Sequence, residues 1–567
     1  MTLLKAKTSS LDEYLEQAAE HGRTMLLPSL LQAQQQHGHI SKEHARSISQ
    51  TLKIPLADVY GVIEFYSLLC TEPAAETVVR VCESPTCAMA GSHQLEKSLS
   101  QHASASSEKL GVEGVPCLGL CDNAPAALVG EKPVSLRCKV SPENVFAGKA
   151  AEAASRIQTP DGVLTHRCGK TNPASLDDFL VHEGFAGLQN ALKQNPAAVI
   201  AEVKASGLVG RGGASFPTGV KWEGAASAPG PQKYIICNAD ESEPGTFKDR
   251  ILLEDDPFSI IEGILIGAYA VGADRGYIYV RGEYPRAQKI LLQAIEAARQ
   301  ANYLGENIHG SGFNFELEVR SGAGAYICGE ETALFESIEG KRGYPRIKPP
   351  FPTTHGLFQK PTVINNVETF ANIPLILRSG AEAYREYGSE KSTGPRLFCL
   401  TGDVREPGLY ELTTPASLND LIYEMGGGIP DDEEIQAVLL GGAAGKFVPP
   451  ADLDMLLTNE DTLKAGYSLG SGVVIVFNDT RNLKEYLANL AGFFAHESCG
   501  KCYPCQLGTQ RQLEILQRNL KGEALPGDID RLQDVGWTMT DASLCGLGQT
   551  AAAALLSAMR HWPELFK

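Results

Sequence analysis

The sequence predicts a multidomain chain mixing α/β and α+β units. Its 567 residues exceed what one core organises, and at about 150 residues per domain they suggest roughly three to five domains. Between 186 and 390, apolar strand-like runs alternate with helical ones, which implies a mainly parallel sheet covered by helices. Fourteen cysteines in so long a chain point to metal or redox chemistry rather than to a disulfide framework.

Composition narrows the class further. A hydrophobic content of 43% with 57 glycines and 32 prolines is that of a loop-rich globular protein. The sequence has no apolar run of membrane-spanning length, and MTLLKAKTSSLDEYLEQ lacks the apolar core of a signal peptide, so the expected location is cytoplasmic. A formal charge of −18 argues against nucleic acid as a partner.

Residues 1–72 read as a helical bundle. Apolar positions recur at helical spacing in LDEYLEQA and from Leu27 to Leu31, Ser41 stands as an N-cap before KEHARSISQTL, and Pro55 opens the next helix. At 73–150 the pattern changes to strand in TVVRVCE, followed by a helix. Four residues separate Cys82 from Cys87 and three separate Cys117 from Cys121. Two thiolate pairs suit tetrahedral zinc or a [2Fe–2S] rhomb; zinc more often takes two-residue gaps, so the spacing leans toward iron. Cys70, Cys138 and Cys168 have no such spacing and read as core or surface thiols. The Ala-, Ser- and Asn-rich stretch 151–185 reads as a linker.

In 186–390, expected strands fall at Tyr234–Cys237, Tyr277–Val280 and Asn314–Val319, and expected helices at Ser259–Val271 and Ala287–Ala301. Ahead of the first strand, Gly207, Gly210, Gly212, Gly213 and Gly219 surround Arg211. A loop with so little side-chain bulk lets a phosphorylated cofactor lie on backbone N–H groups. Asn238, Asp240, Glu241 and Glu243 follow that strand, at the end where α/β sheets bind ligands. Cys237 and Cys328 read as packing residues. Residues 391–478 give β–β–α–β–β, with a helix at Leu418–Met425, which suggests a small β-grasp domain without a catalytic constellation. In 479–567 helices return around Cys499, Cys502 and Cys505, with Cys545 far along the chain. Three thiolates at C-x2-C-x2-C wrap one corner of a cubane and a remote fourth closes a [4Fe–4S] cage, with four-cysteine zinc the rival. His496 and Lys501 read as solvent-facing.

Three segments carry a family resemblance: GRGGASFPTG from Gly210, Gly324-Ala-Tyr-Ile-Cys-Gly-Glu-Glu331, and Asn365-Asn-Val-Glu-Thr369. From roughly Pro173 onward the chain resembles the NADH-binding, FMN-containing subunit of respiratory complex I and its relatives in NAD-linked formate dehydrogenases and NAD-reducing hydrogenases. The N-terminal part resembles the small [2Fe–2S] subunit of the same systems. The resemblance implies a thioredoxin-like [2Fe–2S] domain held by Cys82, Cys87, Cys117 and Cys121, a Rossmann-like FMN domain, a ubiquitin-like β-grasp domain, and a helical domain whose [4Fe–4S] cluster is held by Cys499, Cys502, Cys505 and Cys545. It implies FMN contacts at Gly210, Gly212, Asn238, Asp240, Asn365, Asn366 and Thr369. Phe216, Lys221, Glu243, Glu331 and Phe351 fall on the NADH side, Tyr326 and Glu330 lie beside the flavin, and Arg211, Glu241 and Gly329 complete the cofactor-binding set. Aromatic rings can stack on adenine, a lysine can neutralise pyrophosphate, and a carboxylate accepting from ribose favours NAD over NADP. Ser215 departs from the family's glycine, and a side chain there calls for a negative φ.

NAD, FMN and two clusters on one chain imply a converter between two-electron and one-electron chemistry, with no general acid or nucleophile required. The fused arrangement, with VCESPTCAMAGSHQL and PCLGLCDNAP intact, most resembles the β subunit of an NAD-dependent formate dehydrogenase. Its implied partner is a catalytic α subunit carrying a molybdenum or tungsten pterin and further iron–sulfur clusters. The alternatives are the diaphorase subunit of an NAD-reducing hydrogenase, a fused electron-input subunit of complex I, and, outside enzymes, a structural iron–sulfur assembly module.

Overall fold

The computed structural model describes residues 10–73, 75–137, 140–159 and 161–567; Cys138 lies outside them. The N-terminal helices run Leu11–Ala18, Leu26–His37, Lys42–Leu52 and Leu56–Ile63. Ser10 closes a capping box with Glu13, and Ser41 accepts the His44 N–H as the expected cap. The bundle is seated on the domain that follows 186: Tyr66 donates to Ser337 Oγ at 2.7 Å, and the Ser67 hydroxyl donates to Gly324 O at 2.8 Å.

The first sheet comprises β1 (Thr77–Cys82), β2 (Leu110–Val115), β3 (Ala126–Val129) and β4 (Lys132–Ser135), in the order β2-β1-β3-β4. β1 and β2 are parallel, with helix Ser92–Ala105 crossing between them, and the other pairs are antiparallel. This is the thioredoxin-like unit.

The stretch 151–185, expected as a linker, is tied to distant segments. Ile157 bridges to Leu409, the N–H groups of Val163, Leu164 and Thr165 donate to the Glu411 carboxylate, and buried Arg167 pairs with Asp256 at 2.9 Å. Its order comes from buried polar partners supplied by distant segments, and those leave no periodicity in the local sequence.

The central sheet is fully parallel, in the order β7-β6-β5-β8, with β5 at Tyr234–Ala239, β6 at Arg275–Val280, β7 at Glu316–Ser321 and β8 at Thr362–Asn366. Helix Pro257–Val271 is buried almost all round because it lies between this sheet and helix Val367–Ser379. The register sets Asn238 of β5 beside Asn366 of β8, so both amides reach the carboxyl edge together.

The third sheet is the β-grasp unit, in the order β10-β9-β13-β11-β12: β9 Arg396–Gly402, β10 Gly408–Leu412, β11 Ile435–Leu440, β12 Lys446–Val448, β13 Val473–Asn478. β12 adds a strand to the expected pattern, and at three residues it is too short to show alternation. The expected helix at Leu418–Met425 is Asp420–Met425 and winds as a π-helix. The C-terminal helices are Leu483–Glu497, Tyr503–Leu520, Asp528–Ala542, Gly546–Thr550 and Ala553–His561. No described helix is long and apolar enough to cross a membrane.

Candidate functional site

At the carboxyl edge of β5 and β8 lies a cavity of about 470 Å³. Its wall draws on three domains: Gly212 to Ala214 with Asn238, Asp240 to Glu243 and Asn366 from the central domain, Gly441, Ala444, Gly445, Ser468, Gly470 and Ser471 from the β-grasp unit, and Gly546, Leu547 and Thr550 from the C-terminal helices. Sequence reasoning missed the last two contributions. The glycine runs GGAAG and SLGSG were the available signal, since each keeps a stretch of wall free of side chains.

The glycine loop is a pinched hairpin: the Gly210 N–H donates to Phe216 O at 2.9 Å and the Thr218 N–H to Leu208 O at 2.9 Å. Closing it requires left-handed backbone at Ser215, whose φ is 50°, against the expected negative value. A serine pays about 1–2 kcal/mol there, which the cross-loop hydrogen bonds impose. A Cβ at Gly212 would stand 3.1 Å from Asn366 Cβ, so glycine keeps the loop against β8.

Asn238 is held by its own contacts: Nδ2 donates to Gly329 O at 2.8 Å, and Oδ1 accepts the Asp240 N–H at 3.2 Å. Asp240 Oδ2 is buried and has no protein partner, and burial holds this carboxyl far above the usual carboxylate range. A buried carboxyl oxygen without a protein partner, facing a glycine-walled cavity, calls for a polar ligand to satisfy it. Glu243 accepts the Ala444 N–H at 2.8 Å and the Ser471 hydroxyl at 3.2 Å, and burial pushes it up to about 7. Glu330 caps helix Glu331–Ile338, accepting the Ala333 N–H at 3.0 Å. Tyr326, whose N–H donates to Glu497, lines the cavity with Gly329.

Other expected contacts stand behind this wall. The Arg211 guanidinium is buried and donates to Thr393 O and Pro395 O, while its N–H donates to Thr369 Oγ1 at 2.9 Å. Asn365 Oδ1 accepts Trp222 Nε1–H at 2.9 Å. These residues and Gly210 fix the loop rather than line the cavity. Glu241 reaches the cavity, but its carboxylate is occupied by Thr246, Tyr284 and the N–H groups of Asp249 and Arg250.

Of the residues assigned to the NADH side, Glu243 lines the cavity, whereas Phe216, Lys221, Glu331 and Phe351 lie outside its lining. Phe216 and Phe351 are 50% and 58% exposed, and Lys221 Nζ lies 6.0 Å from the Phe216 ring centroid and 4.0 Å from Glu331. Lys348, absent from the sequence-based set, bridges Glu330 at 2.8 Å and Glu331 at 2.6 Å. Exposed rings and lysines of this kind suit stacking on a base and neutralising a phosphate.

The cysteine sets converge as their spacing predicts. Cys82, Cys87, Cys117 and Cys121 are all buried, and their sulfurs neighbour one another in the order Cys87–Cys82–Cys117–Cys121. The Cys117 sulfur lies 4.0 Å from Glu243 O, so one residue spans the cavity and this cysteine nest. Cys499, Cys502, Cys505 and Cys545 line a second, small cavity together with Ile327 and Leu547. The same two side chains line the large cavity, so a single apolar layer separates them. Burial raises the Cys505 and Cys545 thiols to about 11, a charge penalty that a cationic iron core offsets. Cys70 is half-buried and Cys168, Cys237 and Cys328 are buried, apart from both nests.

Four family models match: the Nuo51 FMN-binding domain at 203–375, the thioredoxin-like [2Fe-2S] ferredoxin at 11–146, the SLBB domain at 396–476, and the NADH-ubiquinone oxidoreductase-F iron-sulfur binding region at 485–567. The NADP-reducing hydrogenase subunit HndC of Solidesulfovibrio fructosivorans is 46% identical over 397 residues, covering 70% of this chain and 81% of that one. An NADH-quinone oxidoreductase subunit of Aquifex aeolicus is 45% identical over 411 residues, covering 72% and 94%. The NAD-reducing hydrogenase HoxS subunit alpha of Cupriavidus necator is 34% identical over 565 residues, covering 96% and 92%. A chain in the crystal structure of air-oxidised NAD+-reducing [NiFe]-hydrogenase superposes with a TM-score of 0.84 at 32% identity, covering 97% of this chain and 94% of that one. The cofactors are FMN, NAD, a [2Fe–2S] and a [4Fe–4S] cluster, and the orphaned Asp240 oxygen, the glycine-walled cavity and the two cysteine nests accord with them. The chain belongs to the family of NADH-binding FMN/iron–sulfur electron-transfer subunits that includes the NADH-binding subunit of complex I and the diaphorase subunit of NAD-reducing hydrogenases.

Proposed function

We propose that this chain is the NAD(H)-reacting half of a multisubunit oxidoreductase whose other half-reaction takes place on a catalytic partner. Bound FMN supplies exchange of an electron pair with NAD(H) and release of electrons singly, and the clusters carry them one at a time. The chain's own residues do the positioning. Phe216 and Phe351 hold the adenine, Lys221 and Lys348 face the pyrophosphate, and Glu331 and Glu243 accept from ribose hydroxyls, which favours NAD over NADP. Asn238, Asp240 and Asn366 hold the flavin against the glycine loop.

The observation that carries this reading is the single layer formed by Ile327 and Leu547 between the flavin cavity and the four-cysteine cavity. Beyond it, half-buried Cys499 and Cys502 lie next to Tyr503 and Leu507, which are 77% and 63% exposed and give an apolar exit for electrons toward a partner.

Similarity over nearly the full chain to hydrogenase subunits supports a hydrogen-activating partner and a diaphorase role. A second reading, a formate-oxidising partner with a molybdenum or tungsten pterin, is favoured by the complete buried set Cys82, Cys87, Cys117 and Cys121. A cytoplasmic location belongs to either. The deciding experiment is metal analysis of the native assembly with NAD reduction by hydrogen and by formate. Nickel with hydrogen-driven reduction establishes the first reading; molybdenum or tungsten with formate-driven reduction establishes the second. A native chain without flavin absorbance would overturn both and revive the assembly-module reading.

A further inference from the structure

A second large cavity, about 410 Å³, opens at the opposite, amino-terminal edge of the central sheet, between that sheet and the N-terminal bundle. Its volume falls inside the roughly 300–1,000 Å³ of small-molecule sites. The starts of β5, β6 and β7 bring Tyr234, Arg275 and Glu316 to it, and the bundle supplies His21, Thr24 and Met25. Along β5 and β6 the six residues to the flavin edge span roughly 20 Å, so no single small ligand fills both sites.

Its chemistry is divided. On one side stand aromatic rings: Tyr234 and Tyr277 with centroids 6.3 Å apart, and Phe358 edge-on to Tyr234 at 5.6 Å. Around them are Arg275, Arg299 and Arg320. Arg299 is paired with Glu316 at 3.2 Å and Arg320 with Glu318 at 3.1 Å. Arg275 is exposed and has no carboxylate partner among the described residues. Arg320 is 8% exposed, yet its Nε–H has no acceptor. An unsatisfied buried guanidinium N–H and an exposed arginine that meets Tyr277 but no carboxylate among the described residues call for an anion on the same cavity, and the rings beside them call for a flat aromatic group. Glu316 and Glu318 remain as acceptors for hydroxyls.

We propose that this cavity is a second nucleotide site, taking an adenosine 5′-phosphate group with the base against Tyr234 and Phe358 and the phosphate toward Arg275 and Arg320. That group is common to free adenine nucleotides and to a second NAD, and the test separates the two sources.

Equilibrium dialysis of the full-length, flavin- and cluster-loaded protein with radiolabelled ADP, with and without saturating NAD+, is the experiment. The expected result is one ADP equivalent whose affinity falls at least tenfold in Arg275→Glu and in Tyr234→Ala, while the KM for NADH and ferricyanide reduction stay at their unsubstituted values. ADP retained in excess NAD+ identifies a free nucleotide; ADP displaced by NAD+, with two NAD+ bound per flavin and one in Arg275→Glu, identifies a dinucleotide. Absence of ADP binding, ADP binding untouched by both substitutions, or inorganic phosphate binding as tightly as ADP would each overturn the proposal. Arg275→Glu alters an exposed side chain, and its flavin absorbance verifies folding.

Discussion

Arg250 of the central domain grips Asp122 of the [2Fe–2S] domain with two hydrogen bonds, at 2.8 and 2.9 Å, and both side chains are buried. Asp122 follows Cys121, and Arg250 Nε–H also reaches Gly119 O at 2.9 Å, between Cys117 and Cys121. Arg281 adds a second tie, donating to Cys117 O and Glu241 O at 2.7 Å each. The cluster loop is therefore held by two guanidinium groups rooted in the flavin-binding domain.

Removing one partner of a buried ion pair leaves the other charge unpaired, at about 3–5 kcal/mol. Arg250→Ala is expected to lose [2Fe–2S] cluster on gel filtration while keeping FMN and the [4Fe–4S] cluster, read as iron per flavin and by electron paramagnetic resonance. Arg250→Lys recovers little, since one ammonium cannot hold Asp122 and also replace the contacts of Nε with Gly119 O and of Nη1 with Glu254.

Gly119 tests the same loop by shape. Its φ is +61°, and a Cβ there would stand 2.0 Å from the Tyr284 hydroxyl, which is itself bonded to Glu241. Gly119→Ala is expected to displace Tyr284 and lower the thermal midpoint by several degrees, whereas Gly130→Ala, with φ +60° and open space around it, shows the backbone penalty alone.

Burial pushes Glu243 up to about 7, so its carboxyl is neutral below that pH and ionised above it. The raised value means that the stability from the neutral form is complete below the ordinary Glu range and is lost as pH rises through about 7. Ionisation also makes it a full acceptor for ribose hydroxyls. The KM for NADH is therefore expected to fall several-fold from pH 6 to pH 8, and Glu243→Gln to flatten that profile; an equal pH dependence in both proteins would refute the assignment.

Cysteine replacement separates the two nests. Cys545→Ser is expected to remove about four irons per chain and stop electron flow to large acceptors, with NADH still bleaching the flavin. Cys87→Ser removes about two and leaves the flavin-to-[4Fe–4S] path intact.

The sequence showed most clearly what is repeated or strictly spaced. The cysteine sets, the parallel strands and the polar cluster after Cys237 could be read because ligand spacing and short, continuous apolar runs leave local marks. Arg211 read as a cofactor contact because it sits among glycines, yet its guanidinium turns inward to Thr393 and Pro395, carbonyls nearly two hundred residues away. Lys348 and the cavity wall from Gly441 to Ser471 were invisible for the same reason: tertiary placement alone brings them to the site. Ser215 shows the converse, a local preference overruled by the closure of the hairpin that contains it.

The cavity wall that includes Gly546, Leu547 and Thr550 has a consequence for biosynthesis. Those residues follow the central sheet in the chain, so a nascent chain can fold that sheet before it can enclose a flavin. An open flavin gives electrons to dioxygen, and a truncated or half-made product would leak them. Because the final helices shut the cavity and also carry Cys545, retention of the flavin and completion of the electron exit become one event.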